Sequence, residues 1–127
     1  MNKLLALADR VEKLTGPDRE VMYEAFDACM SRREPSREGV IAWSREWLAF
    51  QKLVNAEAWL NAAMMILPDE WDHMEVYRPD YQTLGWTVHV MYNANLKRTQ
   101  FLGFAQSHEL ALVAASLRAR AHGGGED

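Results

Sequence analysis

The sequence predicts an α+β fold in which a sheet of about three antiparallel strands is sandwiched by helices, in the order α-α-(α)-α-β-β-β-α. Three observations lead there. Apolar residues recur at helical steps through residues 4–30 and 58–66, the period falls to two through residues 71–105, and helical spacing returns after Ser107. The strand-like stretches follow one another across short turns, which suits antiparallel neighbours rather than helical crossovers. The chain has 127 residues, 49% apolar, with 14 Lys plus Arg against 18 Asp plus Glu, a net charge of −4. That size and balance fit one globular body over residues 1–122 with a flexible tail at 123–127. The acidic balance argues against a general phosphate-backbone binder, which needs an excess of Lys and Arg.

Leu4, Leu7, Val11 and Leu14 lie on one stripe of a first helix, with Asp9, Arg10, Glu12 and Lys13 opposite. Gly16 is expected to close it in the left-handed conformation and Pro17 to open the next. Met22, Ala25, Phe26, Cys29 and Met30 form the stripe of that second helix, and Asp18 and Glu20 place negative charge at its positive end. Residues 31–39 hold a proline, a glycine and five charges without periodicity and read as a solvated loop. Residues 41–54 fit two patterns. Trp43, Trp47, Phe50 and Val54 keep helical steps, whereas Ile41 and Trp43 alternate as in a strand, so irregular structure with a short helix is expected. Asn55 is expected to cap a helix carrying Ala58, Ala62, Met65 and Ile66, which Pro68 ends.

Trp71, His73, Glu75 and Tyr77 alternate with Asp72, Met74, Val76 and Arg78, as in a strand of mixed faces. Pro79 begins a turn. Residues 86–92, rich in aromatic and β-branched types, form the clearest strand, Asn93-Ala94-Asn95 its turn, and residues 99–105 the antiparallel partner. Ser107 caps a last helix with Leu110, Val113, Ala114, Leu117 and Ala121 on one face and Arg118, Arg120 and His122 near its negative end. Such a sheet needs helices over one face or both.

Cys29 is the single cysteine, so no internal disulfide is expected. Asp9 and Arg10 cut short the apolar run that follows Lys3, which argues against an export signal, and no run reaches the length of a membrane span. Cytoplasm of a bacterial host is the expected location, without membrane contact.

Chemistry is sparsely signalled. Asp69, Glu70, Asp72 and His73 are the densest group of metal-ligand types, but a strand through them sends Asp72 and His73 to opposite faces. A small metal-dependent hydrolase would rest on Asp72, His73 and His89. Cys29 sits on an apolar stripe and reads as an inert thiol. No catalytic residue, cofactor or metal is expected. Arg32, Arg33 and Arg37 beside Trp43 and Trp47 could hold single-stranded nucleic acid by phosphate contact and stacking, although Glu34 and Glu38 cancel much of that charge. Five tryptophans are many for one small core, and Trp with Arg is the composition of interface hot spots. Arg32, Arg33, Arg37, Trp43, Trp47 and Phe50 are therefore the candidate partner-binding residues.

Residues 5–20 (LALADRVEKLTGPDRE), 58–71 (AWLNAAMMILPDEW), 103–106 (GFAQ) and 110–121 (LALVAASLRARA) together resemble the phage ABA sandwich domain, a family of small phage and prophage proteins. The Thr-Gly-Pro-Asp-Arg-Glu string and the Leu-Pro-x-x-Trp ending are its more specific pieces. The family's usual Tyr-Thr-x-Ser-x-Asp pattern is not reproduced at residues 56–61. The resemblance implies a helix-sheet-helix sandwich of phage origin and carries no catalytic residues. The expected function is a non-catalytic accessory protein that binds a host or phage protein, with inhibition of a host defence complex such as a CRISPR effector as its specific form. A single-stranded nucleic-acid-binding accessory protein is the alternative. A homodimer would form through an uncovered sheet face or edge.

Overall fold

The computed structural model describes residues 2–30, 37–68, 71–79, 84–94 and 97–124. The elements are α1 (Lys3–Glu12), α2 (Arg19–Met30), α3 (Arg37–Asn55), α4 (Trp59–Met64), β1 (Asp72–Pro79), β2 (Leu84–Ala94), β3 (Lys97–Ala105) and α5 (His108–Gly124). The α+β class and the three consecutive antiparallel strands, in spatial order β1-β2-β3, match the sequence expectation.

Side-chain caps set the starts of α1, α2 and α5. Asn2 Oδ1 accepts from the Leu4 amide at 2.8 Å and begins α1, Asp18 Oδ1 accepts from the Glu20 amide at 2.8 Å and begins α2, and Ser107 Oγ accepts from the Leu110 amide at 3.2 Å and begins α5. Residues 41–54 are continuous helix within α3, contrary to the irregular expectation, because Trp47 and Phe50 find aromatic partners on α2 and Val54, on the same face, is buried in the core. Asn55 is the last residue of α3 rather than a cap for α4, and α4 starts after Ala58 without a side-chain cap. Glu57 closes α3 instead: it adopts φ 58°, its amide donates to the Val54 carbonyl at 3.0 Å, and the Ala58 amide reaches back to the Leu53 carbonyl at 2.8 Å. This is the bond pattern that usually places glycine in the left-handed position. Gly16, expected there after α1, does not adopt positive φ.

The layers are built around α5. Residues 110–117 are buried without interruption, so this helix has no solvent-facing stripe over that stretch, and the expected single apolar face becomes a fully enclosed cylinder. The sheet covers one side of it; α1, α2 and α4 cover others, and α3 packs outside on α2 and α4. Of the two arrangements expected for the sheet, cover on one face or on both, the helix packing among the described residues gives one. Val88 and Val90 are buried on the α5 face together with Gly103 and Ala105, their partners or near partners in the β2–β3 register. Ala94 pairs with Lys97, so Asn93 and Ala94 belong to the strand rather than to the turn.

Gly103 fixes how closely the layers approach. A Cβ there would lie 2.0 Å from the Ala111 carbonyl oxygen and 2.8 Å from the Ala115 nitrogen, both backbone atoms of α5 that cannot turn aside. Gly103→Ala is expected to lower unfolding free energy by about 3 kcal/mol through overpacking. Gly16, with nothing within 4 Å of its Cβ position, is the control: Gly16→Ala changes stability by less than about 1 kcal/mol. Urea denaturation of both variants measures the contrast.

Two further outcomes concern single residues. Glu57→Gly relieves a left-handed backbone that costs a side-chain-bearing residue about 1 kcal/mol and should raise the denaturation midpoint accordingly. Ser116 Oγ is buried in α5 and meets no hydrogen-bond partner among the described residues. Ser116→Ala removes a desolvated hydroxyl and is expected to leave stability unchanged or raise it by about 1 kcal/mol in the same measurement.

Candidate functional site

The candidate binding surface rests on an aromatic cluster between α2 and α3. On α2, Tyr23 and Phe26 fall on adjacent turns, and on α3 Trp47 and Phe50 do the same. Phe26 and Phe50 stack with centroids 4.2 Å apart and planes 15° from parallel. Trp47 leans on Tyr23 at 5.4 Å and on Phe26 at 5.6 Å, and the Tyr23 hydroxyl donates to Asn55 Oδ1 at 3.3 Å across the same pair of helices. Offset and tilted ring contacts of this kind fix side-chain orientation beyond what area burial alone supplies.

The six sequence candidates separate on this framework. Phe50 is fully buried and belongs to the core, which corrects its assignment to a contact surface: its ring stacks on Phe26, which in turn supports Trp47. Trp47 is half-buried and packs partly against the core. Arg37 and Trp43 lie in α3, with their side chains outside the described residues, and Arg32 and Arg33 lie wholly outside them. A residue absent from the sequence set is brought to the surface beside Trp47. Leu48 is 57% exposed, with Arg45, Ala49 and Lys52 also exposed around it. Helical phase with Trp47, Phe50 and Val54 inward puts Leu48 outward, a signal the sequence carries only once the stretch is known to be helix.

The grouping proposed for a hydrolase is taken apart by strand register. His73 pairs with Val90 on the α5 face, whereas His89 pairs with Met74, and Asp72 with Met91, on the opposite face. Asp69 and Glu70 lie outside the described residues. Among the described residues, no group of three His, Cys, Asp or Glu is arranged to hold a metal ion, and no helix is long and apolar enough to cross a membrane. His108 meets the edge of Trp86 with ring centroids 4.9 Å apart and reaches Glu109 Oε1 at 3.2 Å; His122 packs against Phe101 at 5.3 Å.

No protein-family profile, curated protein or solved structure matches the chain.

Cys29, at the end of α2, is partly buried, and that burial pushes its thiol above the ordinary value, with the positive charge of Arg120 acting weakly the other way. The thiolate is thus disfavoured in the folded protein. Reaction with a soluble disulfide reagent at neutral pH is expected to be slow in the native state and fast in urea. The sign for stability follows. With the folded value above the unfolded one, the contribution is intact below about pH 8.5 and is lost as pH rises toward the folded value, so the denaturation midpoint declines on the alkaline side and Cys29→Ala reduces that decline.

Proposed function

We propose that the protein is a non-catalytic binding module, an accessory protein of a phage or prophage that acts in the bacterial cytoplasm by engaging a host or phage protein. The observation that carries this reading is the outer surface of α3, where exposed Leu48 adjoins half-buried Trp47, and Trp47 stands on the Tyr23 and Phe26 rings, the latter stacked in turn on Phe50. An apolar anchor beside an aromatic held in one orientation is the arrangement that concentrates binding energy, because little side-chain freedom is lost on contact. Exposed Arg45 and Lys52 give this patch a polar rim. The resemblance to phage ABA sandwich proteins supports the phage origin. The net charge of −4 supports inhibition of a defence complex whose nucleic-acid channel is lined with Lys and Arg, since opposite charge accelerates encounter.

Capture on the tagged protein from lysate of a bacterial host, followed by reconstitution from purified components, tests the reading. The expected result is one protein retained at near-stoichiometric amount, with retention lost in Leu48→Asp while thermal unfolding is unchanged, because Leu48 contributes little to the core. Trp47→Ala should reduce both binding and stability, the latter by about 2–4 kcal/mol for a half-buried aromatic. Retention that ignores Leu48→Asp rejects the α3 surface. Salt-sensitive retardation of single-stranded DNA or RNA without any protein partner would replace this reading by the nucleic-acid one.

A further inference from the structure

Helical phase defines the outward side of α3. With Phe50 and Val54 inward, Arg45, Leu48, Ala49 and Lys52 fall on the opposite side at steps of three, one and three, and all four are exposed. The stripe has charge at its ends and apolar surface between them. Arg45 and Lys52 stand two turns apart, about 10 Å along the axis, with Leu48 and Ala49 in the turn that separates them. Neither cation has an ion pair or hydrogen bond among the described residues. Arg10, Arg118 and Arg120, by contrast, are held by Glu24, by Glu12 and Asp9, and by the Ile66 carbonyl. Glu46, the acid within this stretch, is half-buried and lies about 100° round the helix from Arg45. A molecule of net charge −4 thus carries here a face whose exposed charges are both positive.

We infer that an acidic amphipathic helix of a partner protein docks along this stripe, an inference that rests on the reading of α3 as the binding surface and supplies the chemistry of what binds there. Charge selects the sign. Carboxylates two turns apart on the incoming helix meet Arg45 and Lys52, and an apolar residue between them covers Leu48 and Ala49. The backbone selects the element. Amides and carbonyls in the middle of α3 are used by its own helical ladder, so no edge is offered to a strand and only side-chain ridges remain for packing. Steps of three, one and three are those of a helix-pairing seam, and the small Ala49 lets a second helix approach closely. A phosphate backbone would meet the two cations but gives Leu48 and Ala49 no apolar surface to bury. Net charge acts on encounter, whereas the docked contact is decided by charges within a Debye length of about 8 Å.

Fluorescence anisotropy on the full chain tests this with two synthetic peptides, each three heptads long with leucine at the a and d positions; one carries glutamate and the other lysine at e and g. Each peptide is present only as a trace of label while the protein is titrated. The wild type is expected to bind the glutamate peptide about tenfold more tightly than the lysine peptide, and Leu48→Asp should weaken that binding by about tenfold. Arg45→Glu with Lys52→Glu should reverse the order of the two peptides. All three positions are exposed, and unchanged thermal unfolding by circular dichroism verifies the fold of each variant. Equal affinity for the two peptides, no saturation of the glutamate peptide as protein is raised to about 1 mM, or an order that survives charge reversal overturns the inference. So does tighter binding of a labelled oligothymidylate that ignores Leu48→Asp, which assigns the cations to phosphate. A protein captured from lysate separates this inference from the binding-module reading. A partner lost with Leu48→Asp but kept by the charge-reversed variant leaves α3 as the binding surface and removes the acidic helix, whereas a partner kept by Leu48→Asp removes both.

Discussion

Enclosure of α5 is the constraint from which the rest of the architecture follows. Eight consecutive residues, 110–117, are shielded from water, so apolar surface must approach this helix from every direction. An amphipathic helix can be satisfied by one neighbour; a helix apolar all round cannot. The sheet supplies one wall and α1, α2 and α4 supply the others. Small residues set the spacing. Ala111 and Ala115 on α5 and Gly103 on β3 bring backbone against backbone, which leaves no room for a methyl group at Gly103. The accompanying penalty is Ser116, whose hydroxyl is buried with this surface.

Where α5 leaves its enclosure, its first charged side chains after the buried run tie separate layers together. Arg118 reaches Glu12 and Asp9 on α1 and the Leu102 carbonyl on β3. Arg120 donates through Nε to the Ile66 carbonyl at 2.6 Å, just beyond the end of α4. Arginine suits both tasks because its planar donor set can serve two acceptors at fixed angles while its stem covers apolar surface. The Arg10 to Glu24 bridge between α1 and α2 is also forked, but it is exposed and contributes far less.

Local signals in the sequence were sufficient for α1, α2, the strands and the start of α5, since each is announced by periodicity and a capping or turn residue within a few positions. The failures share a cause. For residues 41–54, helical and strand spacing both fit, and the arbiter is the pair Phe26 and Phe50, which meet only after α2 and α3 are in place. Asn55 has the chemistry of a cap, yet the chain turns two residues later at Glu57, a residue type with no preference for the left-handed conformation. The all-round burial of α5 is legible in principle: residues 110–117 contain no charge, so the run has no polar side to leave facing solvent. Of the candidate binding residues, Trp47 stands at the surface patch, Phe50 lies in the core, and Leu48 emerges only once helical phase is known.

The peripheral position of α3 bears on how recognition could be supported without compromising the fold. Its described packing is with α2 and α4 rather than with α5 or the sheet, so its outer face is one layer removed from the packing that defines the core. Leu48 and Ala49 are exposed, so substitutions there fall outside the buried core. The inner face is constrained, because Phe50 and Val54 are fully buried. Trp47 lies between these regimes, partly exposed and packed against Tyr23 and Phe26. Its orientation is thus fixed from the core side, so a partner that covers it meets a ring whose freedom has already been reduced by folding. On this reasoning the stacked α2–α3 rings are a support whose rigidity matters for contact at the surface as well as for stability.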